Sequence, residues 1–301
     1  MPRYRFYTLD VFTDTPFGGN PLAVVLDADA LSGERMQLIA AEFNLSETVF
    51  VLKPAKAGDN RKRVRIFTPR AELPFAGHPT IGTSYLLAKL ELLELDPADA
   101  LIVLEEGVGD VSVKVQSGVG GPRTTQMSVP ILPAGGPEPP PRGELAVMLS
   151  LEEGDLLPGH AGYSCGVPFL FVPVRNLAAI ASIKLHTDLW EKLLSGWWAK
   201  SLFAFTSETV TREAQLHARM FAPAMGVAED PATGSAVSAL AGYLCEQDRS
   251  DGRRRWLIEQ GFEMGRPSLI ELEADVAGGR IKAVRVGGSS VVMSEGWIEA
   301  E

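Results

Sequence analysis

The sequence predicts an α+β protein of two similar lobes, each with one buried helix wrapped by many short strands. A short pattern occurs twice, as His78-Pro79-Thr80-Ile81-Gly82-Thr83-Ser84 and as Asp230-Pro231-Ala232-Thr233-Gly234-Ser235-Ala236. Each copy follows an Arg-x-Phe-x-Pro segment, which begins at Arg65 in one case and at Arg219 in the other. Each copy also opens a helix-like run, and the second run, residues 235–244, has no charge and many small side chains. A helix that is apolar on all sides is buried on all sides.

The length and composition favour two globular domains. The chain has 301 residues, of which 46% are hydrophobic and 22% are charged, so it can build two lobes that each bury a core. We expect a first lobe over residues 1–118, with the last strand at about 288–301 as a candidate addition to it, and a second lobe over 119–287. The stretch from 117 to 143 is crowded with Gly and Pro and contains the predicted junction.

The elements of the first lobe follow from residue type and spacing. Strands are predicted where aromatic and β-branched residues concentrate, and helices where apolar residues recur every three to four positions. The predicted strands lie at 4–12, 22–26, 48–52, 64–67, 101–104 and 110–116. The predicted helices lie at 31–43 and 79–93, the latter with Pro79 at its first position, where a missing N–H costs no hydrogen bond.

The second lobe repeats this style. Its predicted strands lie at 169–174, 202–206, 215–221, 268–275, 280–286 and 290–298. Its predicted helices lie at 187–194 and 234–246. No strand is followed by a Gly-x-Gly-x-x-Gly turn and a helix, so the sequence argues against a Rossmann dinucleotide-binding fold.

The charge and the cysteines limit the partners and the compartment. A net charge of -10 argues against nucleic-acid binding and against an anionic membrane surface. It leaves a small anionic substrate open, because the local field of helix ends can oppose the global charge. Cys165 and Cys245 form no Cys-x-x-Cys motif, which favours buried thiols in a reducing compartment. With no signal-peptide core at the start and no run of membrane-spanning length, we expect a cytoplasmic protein.

Three ionisable residues are candidates for chemistry. His78 follows Gly77 at a predicted helix start, where a histidine can act as an acid or base or simply end a loop. Asp230 alone is better explained as a helix cap before Pro231, and only its place in the repeat favours catalysis. Glu47 is by default an exposed acid. In a closed pocket, burial and a nearby carboxylate would favour its protonated form and let it give and take a proton near neutral pH.

The two predicted helix starts also offer backbone donors. Free N–H groups after Gly77 and around Gly234 and Ser235 can hold a carboxylate or a developing oxyanion. Nothing in the sequence calls for a metal, a flavin or a nicotinamide, so we expect no cofactor.

Three motifs together resemble the phenazine-biosynthesis PhzF-like family. They are Asn44-Leu45-Ser46-Glu47-Thr48, then Phe67-Thr68-Pro69 leading to Glu72-Leu73-Pro74-Phe75-Ala76-Gly77-His78-Pro79-Thr80, and Glu229-Asp230-Pro231-Ala232-Thr233-Gly234-Ser235-Ala236. The opening Asp10-Val11-Phe12-Thr13 with Gly18-Gly19-Asn20-Pro21, and Gly166-Val167-Pro168 before an apolar strand, also fit. The resemblance covers nearly the whole chain in the expected order, and residues 133–143 match least.

The resemblance implies a fold, a reaction and a set of site residues. The fold is diaminopimelate-epimerase-like: two lobes, each a curved, mostly antiparallel sheet around a central helix. The activity is the cofactor-free isomerisation of trans-2,3-dihydro-3-hydroxyanthranilate, commonly by a homodimer. The family's acid–base glutamate corresponds to Glu47 and its supporting residues to His78 and Asp230. Its donor loop corresponds to Gly77, Gly234 and Ser235.

The sequence therefore predicts an isomerase that moves a proton within a small carboxylate substrate through Glu47. Racemases of this fold use two cysteines at the helix tips, whereas this chain has His78 and Asp230 there, so a two-thiol mechanism is not expected. Two alternatives stay open. One is an epimerase or racemase that acts through Glu47 on an amino-acid-like substrate, and the other is a non-catalytic homologue that binds a small acid.

Overall fold

The computed structural model describes residues 1–58, 60–93, 100–118 and 121–300, which form two compact units. The first unit comprises Met1–Ser128 together with the C-terminal strand from Gly287 onward, and the second comprises Val129–Val286. Among the described residues, no helix combines the length and the apolar character needed to cross a membrane.

The first unit is a mainly antiparallel sheet with two helices. Its strands are β1 (Arg3–Val11), β2 (Asn20–Val25), β3 (Glu47–Leu52), β4 (Arg61–Phe67), β5 (Glu72–Leu73), β6 (Leu101–Glu106), β7 (Gly109–Gly118), β8 (Gly121–Ser128) and, returning at the C-terminus, β18 (Ser290–Glu299). Its helices are α1 (Gly33–Phe43) and α2 (Gly77–Lys89). β1 pairs antiparallel with both β2 and β18, and β2 runs parallel to β3. β4 pairs antiparallel with β3 and parallel with β6, and β6, β7 and β8 follow as antiparallel neighbours.

Helix α2 is the buried centre of this unit. It packs against β1, β2, β7 and β8, and every residue from Gly77 to Ser84 is buried. Gly82 makes the close approach possible, because an added Cβ there would lie 2.6 Å from a methyl group of Val11 and 2.7 Å from one of Leu22. The small side chains thus serve the packing that the sequence predicted for this helix.

The second unit repeats this order of pairing. Its strands are β9 (Ala134–Gly135), β10 (Ala161–Ser164), β11 (Pro168–Pro173), β12 (Ser201–Thr206), β13 (Leu216–Ala222), β14 (Val227–Asp230), β15 (Gly252–Gln260), β16 (Ser268–Ala277) and β17 (Arg280–Gly288), the last of which ends at the unit boundary. Its helices are α3 (Arg142–Met148), α4 (Leu177–Ser182), α5 (Thr187–Leu194) and α6 (Gly234–Gln247). β11 runs parallel to β12, β13 pairs antiparallel with β12 and parallel with β15, and β15 pairs antiparallel with β16. Helix α6 packs against β10, β11 and β16, as α2 packs in the first unit.

Outer helices complete each core. In the first unit, Met36 and Ile39 on α1 belong to a buried cluster with Phe50 and Phe67. In the second unit, α3, α4 and α5 contribute to a cluster that also takes Leu170 and Leu202 from β11 and β12. The predicted α+β architecture, with one buried helix inside a sheet in each of two units, is confirmed.

Several predicted boundaries were wrong. α2 begins at Gly77, two residues before Pro79, and ends at Lys89 rather than at residue 93. α6 begins at Gly234, as predicted, and ends at Gln247, one residue beyond the predicted end. The predicted Gly/Pro-rich junction contains β8, which pairs with β7 and packs on α2. The first unit therefore extends to residue 128 rather than 118. Residues 119–120 of the predicted junction lie outside the described residues. Further elements were not predicted from the sequence: the strands β5, β8, β9, β10, β14 and β15 and the helices α3 and α4.

Candidate active site

Glu47 is placed by the end of a helix and the start of a strand. Asn44 ends α1 in the left-handed conformation, with φ 50°, and its N–H donates to the carbonyl of Ala40 at 3.1 Å. Asparagine tolerates this conformation, so it can stop a helix and redirect the chain. Three residues later Glu47 begins β3, in parallel register with Leu22 of β2. Its side chain is 13% exposed, so it is not the surface acid that a lone glutamate would be by default.

His78 lies in the first turn of α2 and faces Glu47. Its Nε2 is 3.2 Å from Glu47 Oε2, although these two atoms are not aligned as a hydrogen bond. The other ring nitrogen bonds the backbone carbonyl of Pro21, the neighbour of Leu22 on β2. The parallel pairing of β2 and β3 therefore brings both partners of the imidazole to one place.

The protonation state of His78 follows from this burial. Removal from water lowers the pKa of His78 to about 3, against which the bond to the Pro21 carbonyl acts only weakly. The ring is neutral at physiological pH, and a carbonyl can only accept, so we assign the proton to Nδ1. Nε2 then presents a lone pair to Glu47. Such a nitrogen accepts a hydrogen bond from a protonated carboxyl group and cannot donate one.

Gly77 opens α2 with its backbone donors free of a side-chain cap. The residue at the cap position is Ala76, which has no polar side chain. The first N–H groups of a helix have no partner within the helix, and the positive end of the helix dipole adds to their attraction for an anion. This turn can therefore accept a carboxylate.

In the second unit Asp230 is not the helix cap that the sequence suggested. It ends β14, and its Oδ2 accepts a hydrogen bond from Thr233 Oγ1 at 2.5 Å. Thr233 occupies the cap position of α6 but uses its hydroxyl on Asp230, and Gly234 and Ser235 then begin the helix. Pro231 lies in the connecting turn rather than at the first helical position, because β14 pairs with β13 up to Asp230.

The structure also corrects the register of the repeat. Glu72 lies five residues before Gly77, and Glu229 lies five residues before Gly234, and both glutamates sit on the short strand that precedes the central helix. The counterpart of His78 is therefore Ser235, one residue into α6, and not Asp230. The two central helices do not carry matching ionisable tips.

The repeated Arg-x-Phe segment has a structural role that the sequence analysis did not identify. Arg65 donates twice to Glu72, both at 2.7 Å, and lies 5.1 Å from the ring of Phe67. In the second unit Arg219 donates twice to Glu229, at 2.7 and 2.8 Å, and lies 5.0 Å from the ring of Phe221. Each pair ties a long strand to the short strand before the central helix. The signal was present in the sequence, since each Arg-x-Phe is followed by an acid at the head of the motif.

Neither cysteine offers a nucleophile at a helix tip. Cys165 follows β10 and Cys245 lies near the end of α6, and both are buried. Burial raises the pKa of the Cys165 thiol to about 12, so the thiolate is not formed near neutral pH. This agrees with the sequence-based expectation that no two-thiol mechanism operates.

Comparison with known proteins identifies the family. A family model described as a phenazine biosynthesis-like protein matches residues 9–296. An uncharacterized isomerase of Mesorhizobium japonicum is 41% identical over 303 residues, which cover 98% of this chain and 99% of that protein. The trans-2,3-dihydro-3-hydroxyanthranilate isomerase of Pseudomonas aeruginosa is 39% identical over 295 residues, 97% of this chain and 98% of that enzyme.

A solved structure supports the same conclusion. The phenazine biosynthesis protein of the PhzF family from Bacillus anthracis matches with a TM-score of 0.89 at 28% identity, and the match covers 100% of both chains. This likeness confirms the predicted fold class. The chain therefore belongs to the phenazine biosynthesis-like (PhzF) family, and like the relatives named above it is an isomerase.

Proposed function

We propose that this isomerase moves a proton between two carbons of a small cyclic carboxylate of the trans-2,3-dihydro-3-hydroxyanthranilate type, with Glu47 as the proton shuttle. The observation that carries the proposal is the buried pair of Glu47 and neutral His78, whose facing atoms are 3.2 Å apart. The name of the Pseudomonas aeruginosa relative supports the substrate class.

The reaction balances without an external reactant. The Glu47 carboxylate takes a proton from a carbon next to an unsaturated bond, and the electron pair of the broken C–H bond moves into that unsaturated system. The Glu47 carboxylic acid then returns the proton to a second carbon on the same face of the substrate. The substrate gains and loses one proton, no electrons leave it, and Glu47 ends as it began.

His78 supports both states of the shuttle. When Glu47 holds the transferred proton, the lone pair on His78 Nε2 can accept a hydrogen bond from it and keep the acid oriented. When Glu47 is ionised, the same lone pair faces the carboxylate without donating to it, which favours uptake of a proton. A positioned acid–base group of this kind contributes roughly 10²–10⁴-fold to a rate.

The remaining predicted site residues have binding roles in this proposal. The first-turn N–H groups that begin at Gly77 on α2, and at Gly234 and Ser235 on α6, bind the substrate carboxylate. Asp230 orients a polar group of the substrate, and its place beside Thr233 holds its carboxylate in one orientation. We also propose that the protein works as a homodimer without a cofactor, as the family resemblance implies.

The test is uptake of solvent deuterium by a panel of substrates. Trans-2,3-dihydro-3-hydroxyanthranilate and a set of cyclic and amino-acid-like carboxylates are incubated with enzyme in deuterated water and followed by NMR and mass spectrometry. We expect a shifted double bond, and deuterium at the receiving carbon in those turnovers in which the acid proton of Glu47 exchanges with the solvent before it is returned. Exchange at a stereocentre without a shifted double bond would instead identify an epimerase, and calorimetric binding without exchange would identify a binding protein.

Two variants separate catalysis from folding. Glu47→Gln keeps the size of the side chain but cannot carry the proton, so turnover should fall by roughly 10²-fold or more. Glu42→Gln makes the same chemical change at an exposed acid on α1 and should leave turnover intact. Full activity of the Glu47→Gln enzyme would refute the proposed shuttle.

A further inference from the structure

Two adjacent glutamates at the end of β6 are both buried but differ in their partners. Glu105 is 8% exposed and Glu106 is 9% exposed. Glu105 accepts hydrogen bonds from the N–H groups of Ala55 and Lys56, at 2.7 and 3.0 Å, and from Arg61 Nε at 3.2 Å. Burial acts to raise its pKa, but these donors together outweigh it and the pKa of Glu105 is lowered. These three donors provide the surroundings that an ionised carboxylate requires at Glu105.

Glu106 has the opposite surroundings. Its Oε1 lies 2.6 Å from Thr80 Oγ1, and the same hydroxyl lies 2.7 Å from the carbonyl oxygen of Ala76. The Thr80 hydroxyl has one hydrogen, and the Ala76 carbonyl oxygen can only accept, so this hydrogen is used in the bond to Ala76. The hydrogen in the bond between Thr80 and Glu106 must then come from Glu106, which requires a protonated carboxyl group. Among the described residues, Glu106 Oε2 meets no donor, which would be costly for a buried anion. The geometry points to a neutral carboxylic acid.

The second unit contains the same pair of positions. Arg63 on β4 pairs with Glu105, and His217 on β13 pairs with Glu259, at corresponding places in the two sheets. Glu259 accepts hydrogen bonds from the N–H groups of two consecutive loop residues, 210 and 211, at 2.6 and 2.8 Å. Glu259 is thus the counterpart of Glu105, and the next residue, Gln260, is the counterpart of Glu106.

Gln260 holds the turn that leads into α6. Its Nε2 donates to the carbonyl oxygen of Asp230 at 2.7 Å and to Thr233 Oγ1 at 3.0 Å, and its Oε1 accepts from the N–H of Thr233 at 3.2 Å. A neutral side chain with a donor therefore anchors the start of the central helix in the second unit. Glu106 can do the same in the first unit only if it carries a proton.

The charged groups around Glu106 do not replace that proton. A groove of about 430 Å³ reaches Glu106 from the surface of the first unit, and neither Glu47 nor His78 lines it. The charged residues that line this groove beside Glu106 are Arg63, Arg65, Glu72 and Glu105. From α2, Thr80, two residues after His78, contacts the Glu106 side chain itself. Arg65 is engaged by Glu72, and Arg61 by Glu105. Burial raises the pKa of Glu106 to about 8, and the bond with Thr80 opposes this only in part.

We propose that Glu106 is a positioning residue, which stays a neutral carboxylic acid and, by donating to Thr80 Oγ1, holds the first turn of α2 that carries Gly77 and His78. The effect on catalysis rests on the proposed function, since His78 belongs to the proposed catalytic pair. Ala76 provides no side-chain cap for this turn, so the bonds from Glu106 to Thr80 and from Thr80 to Ala76 anchor it from within the unit. Once Glu106 ionises, the hydrogen of Thr80 is drawn to the carboxylate and the bond to Ala76 is lost.

The first measurement needs no substrate. The full chain is labelled with ¹³C at the glutamate carboxyl carbons and titrated by NMR, and the Glu106 signal is identified by its absence in the Glu106→Gln variant. We expect an inflection near pH 8, far above the ordinary pKa of glutamate. An inflection near pH 4.5 would overturn the proposal, whatever the outcome of the Glu47→Gln experiment.

The second measurement compares pH profiles of kcat and of kcat/KM for three variants. In the wild type, kcat should fall above pH 8, where Glu106 ionises. Glu106→Gln reproduces the arrangement of Gln260, so it should keep activity at pH 7 and lack this fall. Glu106→Leu removes the donor and should lower kcat by about tenfold at pH 7, the size of one lost hydrogen bond. Glu105→Gln is the matched control, because it changes a buried neighbour that does not touch Thr80, and it should keep the fall above pH 8.

The positioning role would be refuted if Glu106→Gln and Glu106→Leu lost the same fraction of kcat at pH 7. It would also be refuted if kcat of Glu106→Gln still fell above pH 8. If Glu106→Leu does not fold, the NMR titration of Glu106 and the pH profile of kcat for Glu106→Gln still test the proposal. Failure of Glu47→Gln to lose turnover would refute the proposed function and leave the titration of Glu106 as a separate result.

Discussion

The clearest prediction on stability concerns His217, which is buried between two carboxylates in the second unit. Its Nδ1 lies 2.7 Å from Glu259 Oε1 and its Nε2 lies 2.9 Å from Glu263 Oε1, and its side chain is 1% exposed. Both ring nitrogens can donate at once only in the imidazolium form. Burial acts to lower the pKa of His217, but the two glutamates outweigh it and raise that pKa to about 9.

The size of this contribution to stability follows from the shift in the pKa of His217. A rise in pKa from 6.5 to about 9 corresponds to ~3 kcal/mol of unfolding free energy, at about 1.4 kcal/mol per pH unit. Because the folded-state pKa is raised, the folded protein binds the proton more tightly than the unfolded chain does. The contribution is complete below pH 6.5 and is lost as the pH rises to about 9.

The perturbation is His217→Gln, measured by urea unfolding at pH 6 and pH 9.5. Glutamine can donate to one carboxylate, as neutral histidine can, but it cannot become a cation. We therefore expect the variant to be less stable than the wild type by ~3 kcal/mol at pH 6 and by well under half of that at pH 9.5. His186→Gln, at an exposed histidine just before α5, is the control and should leave the pH dependence unchanged. If wild type and His217→Gln differed in unfolding free energy by the same amount at both pH values, the reasoning would be refuted.

Three further predictions concern the scaffold. Arg219→Lys should lower the melting temperature more than Arg65→Lys, because the Arg219 side chain is 8% exposed against 26% for Arg65 and also donates to buried carbonyls; equal shifts in calorimetry would contradict this. Gly19→Ala should cost more stability than Gly278→Ala, since both glycines have φ near 60° but an added Cβ meets a backbone oxygen at 2.3 Å only at Gly19; equal losses in urea unfolding would count against the clash. Cys165 should resist alkylation in the native protein at pH 8 and react once the protein is unfolded, and rapid native labelling at that site would show its thiol to be accessible.

Much of the fold is predictable from local sequence. The amphipathic spacing of α5 predicted residues 187–194, and the helix spans Thr187–Leu194. The apolar strands β3, β11 and β12 were predicted within one residue, because their residue types suit a buried strand whatever packs against them. Elements rich in Gly, Pro or charge were missed, such as β8 and β15, since their strand conformation depends on pairing with β7 and β16.

The helix starts show where local rules fail. The preference for proline at the first helical position predicted a start at Pro79, whereas α2 begins at Gly77. α6 begins at the predicted Gly234, three residues after Pro231. Each start is set by the short strand before it, and each short strand is held by an arginine from the neighbouring long strand. That constraint comes from pairing between strands, which a pattern confined to one segment does not contain.

The sequence alone determined that Glu47, His78 and Asp230 are the candidates and that the chain is built from a repeat, because residue type and spacing are properties of the chain itself. Only the tertiary structure decided the protonation of His78 and of the two buried glutamates of β6. Glu105 and Glu106 are the same residue at adjacent positions, yet one is paired with donors as an anion and the other holds its proton. His78 is neutral because the surrounding core removes it from water, and this outweighs its bond to the Pro21 carbonyl. A proton affinity is set by the solvent and the donors around a group, and these come from residues that only folding brings together.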